Sequence, residues 1–99
     1  MNISYSDTIK LIDFFGFNLI FRKSGTFQSR VYVTDNGRKL NDNKVLASQR
    51  RERIEAGYLS DKTKGCIVEA FNNVLEFNPA YRSMAKKWLH YHYLDETMR

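Results

Sequence analysis

The alternation of apolar and polar positions divides the chain into helical and extended stretches. Ile9, Leu11, Ile12 and Phe15 recur at helical spacing after Ser6 and Asp7, either of which can cap a helix, and Gly16 is a natural stop. From Phe17 the period shortens to two. Phe17, Leu19 and Phe21 fall on one side, and Phe27, Ser29, Val31 and Val33 alternate with Gln28, Arg30 and Tyr32. Ser24-Gly25 supplies a tight turn between these runs, and Asn36-Gly37 a second one after them. This predicts a β-hairpin at about 17–34, because β-branched and aromatic residues favour strands. The competing reading continues the first helix through Phe21, since a short apolar run also suits a buried helix.

Beyond Leu40 the period becomes helical. Asn41 or Asp42 can cap a helix running to about Ala56, closed by Gly57, with a thin apolar stripe of Val45, Leu46 and Ile54. Ser60 or Asp61 caps the next helix. There Ile67, Val68, Phe71, Val74 and Leu75 form the clearest amphipathic stripe in the chain. Asn78-Pro79 ends that helix and opens the last one, with Pro79 at the first helical position. Tyr81, Met84, Ala85, Trp88 and Tyr91 give the last helix an apolar face; Arg82, Lys86, His90 and Tyr93 share another. The predicted fold is α+β and mainly helical: one helix, a hairpin and a three-helix C-terminal part. An all-α bundle is the alternative.

The chain of 99 residues fits a single domain, 1–99. At 42% hydrophobic and 14% aromatic it is too apolar for a disordered chain. The net charge of +5 suits acidic partners or serves solubility alone. A single cysteine, Cys66, allows no internal disulfide and fits a reducing compartment. No stretch has the pattern of a signal peptide or a membrane span. These features predict a soluble, cytoplasmic protein without a membrane partner.

Catalytic and metal-binding patterns are not legible. His90 and His92, two positions apart on a helix, point about 200° apart and cannot chelate one ion together. Cys66 borders the apolar stripe with no base marked nearby. Glu69 and Glu76 read as surface charge. Neither a phosphate loop nor a dinucleotide fingerprint is present. The expectation is a non-enzymatic binding protein with no cofactor.

Four surfaces can bind. Arg38, Lys39, Lys44, Arg50, Arg51 and Arg53 can contact phosphates by charge, although Glu52 and Glu55 interrupt the run. The turn Gly57-Tyr58-Leu59-Ser60, followed by Lys62, Thr63 and Lys64, has the outline of a helix-turn-helix. Phe14, Phe15, Phe17 and Phe21 exceed what one short segment needs for a core, and any surplus forms a partner patch. Arg82, Lys86, His90 and Tyr93 mix charge with a ring, which suits single-stranded nucleic acid.

Several short stretches resemble the AsiA-type anti-sigma proteins of T-even bacteriophages. They are Asp7-Thr8-Ile9-Lys10; Gly37-Arg38-Lys39-Leu40-Asn41 with Asn43; Lys64, Ile67, Glu69, Phe71-Asn72 and Glu76 within 59–76; and Tyr81-Arg82. They keep the family's order and cover about half the chain in fragments. The chain departs from the family in three ways. The distance from Gly37 to Leu59 is longer by about two helical turns. The family is all-helical, and its members are not typically this basic. The resemblance implies a regulator of host machinery that binds the promoter-reading domain of the primary sigma factor and redirects RNA polymerase. It also implies that the apolar face of the first helix, here Ile9, Ile12 and Phe15, makes that contact and can self-associate into a homodimer. The alternative, independent of the resemblance, is a small DNA- or RNA-binding protein using the Arg50–Arg53 helix.

Overall fold

A computed structural model describes residues 3–24, 28–41, 46–47 and 61–98. Its elements are α1 (Tyr5–Phe15), β1 (Asn18–Ser24), β2 (Gln28–Asp35), β3 (Arg38–Lys39), β4 (Leu46–Ala47), α2 (Asp61–Phe77) and α3 (Pro79–Met98). The fold is α+β and mainly helical, with the hairpin in place.

The cap of helix α1 lies two residues before the first expected one. Ser4 is the cap: its hydroxyl accepts from the Asp7 amide at 3.1 Å, while the Thr8 hydroxyl donates to the Ser4 carbonyl at 2.8 Å. Asp7 therefore sits in the first turn, where a carboxylate opposes the positive end of the helix dipole. The helix closes as a Schellman motif. The Gly16 amide donates to Asp13 and the Phe17 amide to Ile12, both at 3.0 Å, with Gly16 left-handed at φ 75°.

The chain then turns into β1, which pairs antiparallel with β2 from Asn18↔Thr34 to Ser24↔Gln28. The register places Leu19 opposite Val33 and Phe21 opposite Val31, all on the core face of the sheet. Asn36 and Gly37 both have positive φ, 51° and 80°, the pattern of a type I′ turn joining β2 to β3.

The helix expected over 41–56 is corrected where the structure describes it. Leu46 and Ala47 are strand β4, paired with Arg30 and Ser29 of β2. Residues 42–45 and 48–60, the rest of that expected helix among them, lie outside the described residues; two helices follow the sheet among those described. Asn41 is not a helix cap. It is buried, accepts from the Val33 amide at 2.8 Å through Oδ1, and donates to the Val31 carbonyl at 3.1 Å through Nδ2. A peptide group presents the same donor and acceptor, so this side chain stands in for a strand residue on the β2 edge between β3 and β4.

Helix α2 lies against β2 and α1. It buries Thr63, Cys66, Ile67, Ala70, Phe71, Val74 and Leu75, a stripe at three- and four-residue spacing. Val68, expected in that stripe, is half-buried at its edge. Asn78 ends the helix by donating from Nδ2 to the Val74 carbonyl at 2.7 Å, and Pro79 opens α3. Helix α3 commits one side to the core. Ala85 is fully buried, with Tyr81, Trp88 and Leu89 packed around it.

Two glycines give stability predictions of opposite sign. A Cβ at Gly16 or at Gly65 meets nothing within 4 Å, so backbone conformation alone decides. Gly16→Ala forces an L-residue into the left-handed region and should destabilise by about 1–2 kcal/mol. Gly65→Ala, within α2, should stabilise by about 0.5–1 kcal/mol. Chemical denaturation midpoints read both. Asn41→Ala strips two buried backbone groups of their partner and should cost about 2–4 kcal/mol in the same assay.

Candidate functional site: an aromatic groove between the first and last helices

Phe14 and Phe15 are neighbours at the end of α1, and adjacent helical positions point about 100° apart. Only one of them can enter the core. Phe15 does, stacked on Phe17 at 5.0 Å and packed near Phe71 and Tyr81. Phe14 is left at the edge, 52% exposed, with its ring edge-on to Phe15.

Across from it, Met84, Lys87, Trp88, Tyr91 and His92 form one stripe of α3. Together with Phe14 they line a groove of about 470 Å³. Trp88 and His92, one turn apart, stack nearly parallel at 4.7 Å and form part of this wall. Met84 and Tyr91 are 47% and 63% exposed. Single exposed apolar residues are ordinary on a protein surface; several converging on one concavity form an interaction patch.

The two walls are tied at both ends. The end of α1 meets the start of α3 where Phe15 contacts Tyr81. The start of α1 meets the far part of α3 where the Tyr93 hydroxyl donates to the carboxylate of buried Asp7. Helix α3 therefore runs back along α1 in the opposite sense. A second, smaller hollow of about 170 Å³ is lined by Asn72, Leu75, Glu76 and Arg82; the Oδ1 of Asn72 is buried and has no hydrogen-bond partner among the described residues.

The residues singled out from sequence are distributed differently. Ile12 is a core residue at 6% exposure, Ile9 packs partly buried against the core, and Phe15 belongs to the inner aromatic cluster. The apolar face of α1 is thus occupied by the chain itself. Arg38 and Lys39 are exposed beside the Asn36-Gly37 turn, with the Lys39 ammonium 4.3 Å from the centre of the Tyr32 ring. Lys64 is half-buried, its ammonium over Tyr5 at 5.3 Å. Lys62 is in the first turn of α2, its side chain outside the described part. Lys44, Arg50, Arg51 and Arg53 are outside the described residues, as is the Gly57–Ser60 turn. Thr63, at the start of the helix that would read bases, is fully buried and faces the core. Arg38 and Lys39 therefore lie on β3 and Lys64 on α2, while Arg82, Lys86 and His90, the charged residues expected to share a face of the last helix, are all exposed on α3.

Met84 and Tyr91 were expected to face the core, and Lys87 carried no signal. Of the four phenylalanines expected to exceed the needs of the core, Phe14 is the surplus one. Comparison with known protein families, with curated proteins and with solved structures finds no match for this chain. Among the described residues no helix is long and apolar enough to cross a membrane.

Two substitutions separate scaffold from surface. Tyr91→Ser removes a mostly solvated ring and should change stability by no more than about 0.5 kcal/mol. Ile12→Ala empties a core position and should cost about 2–5 kcal/mol. Urea unfolding followed by circular dichroism distinguishes them. A loss of several kcal/mol in Tyr91→Ser would mean that the groove wall is core.

Proposed function

We propose that this chain is a small, non-enzymatic regulatory protein of the phage type that binds host machinery through the groove between α1 and α3. The observation that carries this reading is the convergence of Phe14, Met84 and Tyr91, each about half exposed or more, on one concavity. Burying large aromatic and thioether side chains in a partner is a strong source of interface energy, because such residues offer wide apolar area. The partner is a protein. The fragments similar to the AsiA-type anti-sigma proteins make the promoter-reading domain of the bacterial primary sigma factor the first candidate. The hairpin at 18–35 is an element that this all-helical family lacks, and the face of α1 that makes the family's contact is turned inward here. The contact in this protein therefore falls to the groove.

Isothermal titration of the purified sigma domain into the wild-type protein and into Phe14→Ser and Tyr91→Ser variants tests the proposal. Each variant should weaken binding about tenfold or more, the loss typical of an interface anchor. No binding by the wild type removes sigma as the partner. Equal binding by both variants removes the groove as the contact.

A second reading is nucleic-acid binding by the basic segment, favoured by the exposed pair Arg38 and Lys39 on β3. Replacing Arg50, Arg51 and Arg53 with Ala should then weaken binding to mixed DNA and RNA and flatten its salt dependence. Unchanged binding, measured by fluorescence anisotropy, would sink it.

A further inference from the structure

The groove reading leaves the chemistry of the occupant open, and three features of the groove narrow it. Its walls are two helices, whose backbone amides and carbonyls are already paired internally. An extended peptide lying here finds no strand edge to satisfy its own backbone, whereas a helix brings that satisfaction with it. The spacing agrees. Met84 and Tyr91 lie two turns apart on α3, about 10 Å along the axis, the distance spanned by apolar side chains at i, i+3 or i+4, and i+7 of a facing helix.

The third feature is charge. Residues 79–94 of α3 contain Arg82, Lys86, Lys87, His90 and His92 and no aspartate or glutamate. Arg82, Lys86 and Lys87 are all exposed, and Lys87 lines the groove itself. On the opposite wall, exposed Lys10 stands one turn before Phe14, with exposed Asp13 beside it. A second copy of this chain would bring the same cationic helix against itself, and like charges placed opposite one another disfavour association. Among the described residues that line the groove a nucleic acid would find one lysine, Lys87, too few for phosphate-driven binding.

We infer that the groove takes an acidic amphipathic helix of another protein, with its apolar side chains among Phe14, Met84, Trp88 and Tyr91 and a carboxylate against Lys87. This rests on the protein-binding reading above and specifies its ligand. Trp88 is the one tryptophan of the chain and lines the groove, so its emission reports occupancy.

The test uses three synthetic sixteen-residue helical peptides without tryptophan or tyrosine. They share leucines at i, i+3, i+4 and i+7 and carry Glu, Gln or Lys at the remaining positions. Titrated against the full chain, the Glu peptide should bind more tightly than the Gln peptide, by up to about fivefold for each exposed ion pair formed, and the Lys peptide should bind weakest. Lys87→Glu should narrow or reverse that order. Tyr91→Ser should weaken the Glu and Gln peptides alike. If the Gln peptide binds as tightly as the Glu peptide, and Tyr91→Ser weakens both, the acidic occupant is overturned while the groove reading stands. If no peptide moves the Trp88 emission, the inference falls, and sigma binding sensitive to Tyr91→Ser decides whether the groove reading survives. An emission shift produced instead by a mixed single-stranded oligonucleotide, or by raising the concentration of the protein alone, overturns the inference in favour of nucleic acid or a second copy.

Discussion

Strand β2 must have hydrogen-bond partners on both edges, and the rest of the molecule is arranged around that requirement. Val31 and Val33 are fully buried, so their backbone groups have no water to fall back on. Strand β1 serves one edge continuously. The other edge is served in pieces: two residues of β3, the Leu40 amide donating to the Val33 carbonyl at 2.9 Å, the Asn41 carboxamide, and two residues of β4. A tight turn is needed to bring the chain back this quickly, and the positive φ of Asn36 and Gly37 supplies it. With β2 satisfied, its inner face becomes a platform for Ile67, Phe71 and Val74 of α2. That helix in turn backs α1 and α3.

The groove follows from how α1 and α3 share this support. Each helix gives one side to the core, and among the described residues the two are tied near their ends by Phe15 with Tyr81 and by Tyr93 with Asp7. Between those contacts Ala85 is the one fully buried α3 side chain. The larger residues on either side of it, Met84 and Trp88, turn part of their surface outward. A helix anchored by a small residue and flanked by large ones leaves apolar area that its own fold does not consume.

Local chemistry made much of this legible in the sequence. The hairpin was readable because Val31 and Val33 alternate with polar neighbours, and the second turn because Asn-Gly fits little else. The α2 stripe was readable because Ile67, Phe71, Val74 and Leu75 repeat at helical spacing, and all four are buried. Non-local pairing was not legible. Strand β4 is two residues long and exists because Ser29 and Arg30 lie opposite it; two residues have no period to detect. Asn41 read as a cap because a short polar side chain before an apolar run usually is one. Its use as a surrogate peptide depends on Val31 and Val33, eight to ten positions away. The burial of Ile9 and Ile12 was equally hidden, since an amphipathic stripe shows that a face will be covered but not whether its own chain covers it.

This last point bears on where a partner can bind. Residues that the proposed reading compares with the anti-sigma proteins, or assigns to their contact, have structural work of their own here. Gly37 occupies a left-handed position that the turn demands, and Asn41 completes the β2 edge. Ile9 and Ile12 pack inward against the core. A contact made by the α1 stripe would require pulling that helix off α2, at the cost of exposing Leu11, Ile12 and Phe71, all buried in the core. A contact made at the groove requires no such opening, because Phe14, Met84 and Tyr91 are already in water. Of the two apolar surfaces associated with α1, the outer one with its wall of α3 is the surface that a partner can cover without first unfolding its host.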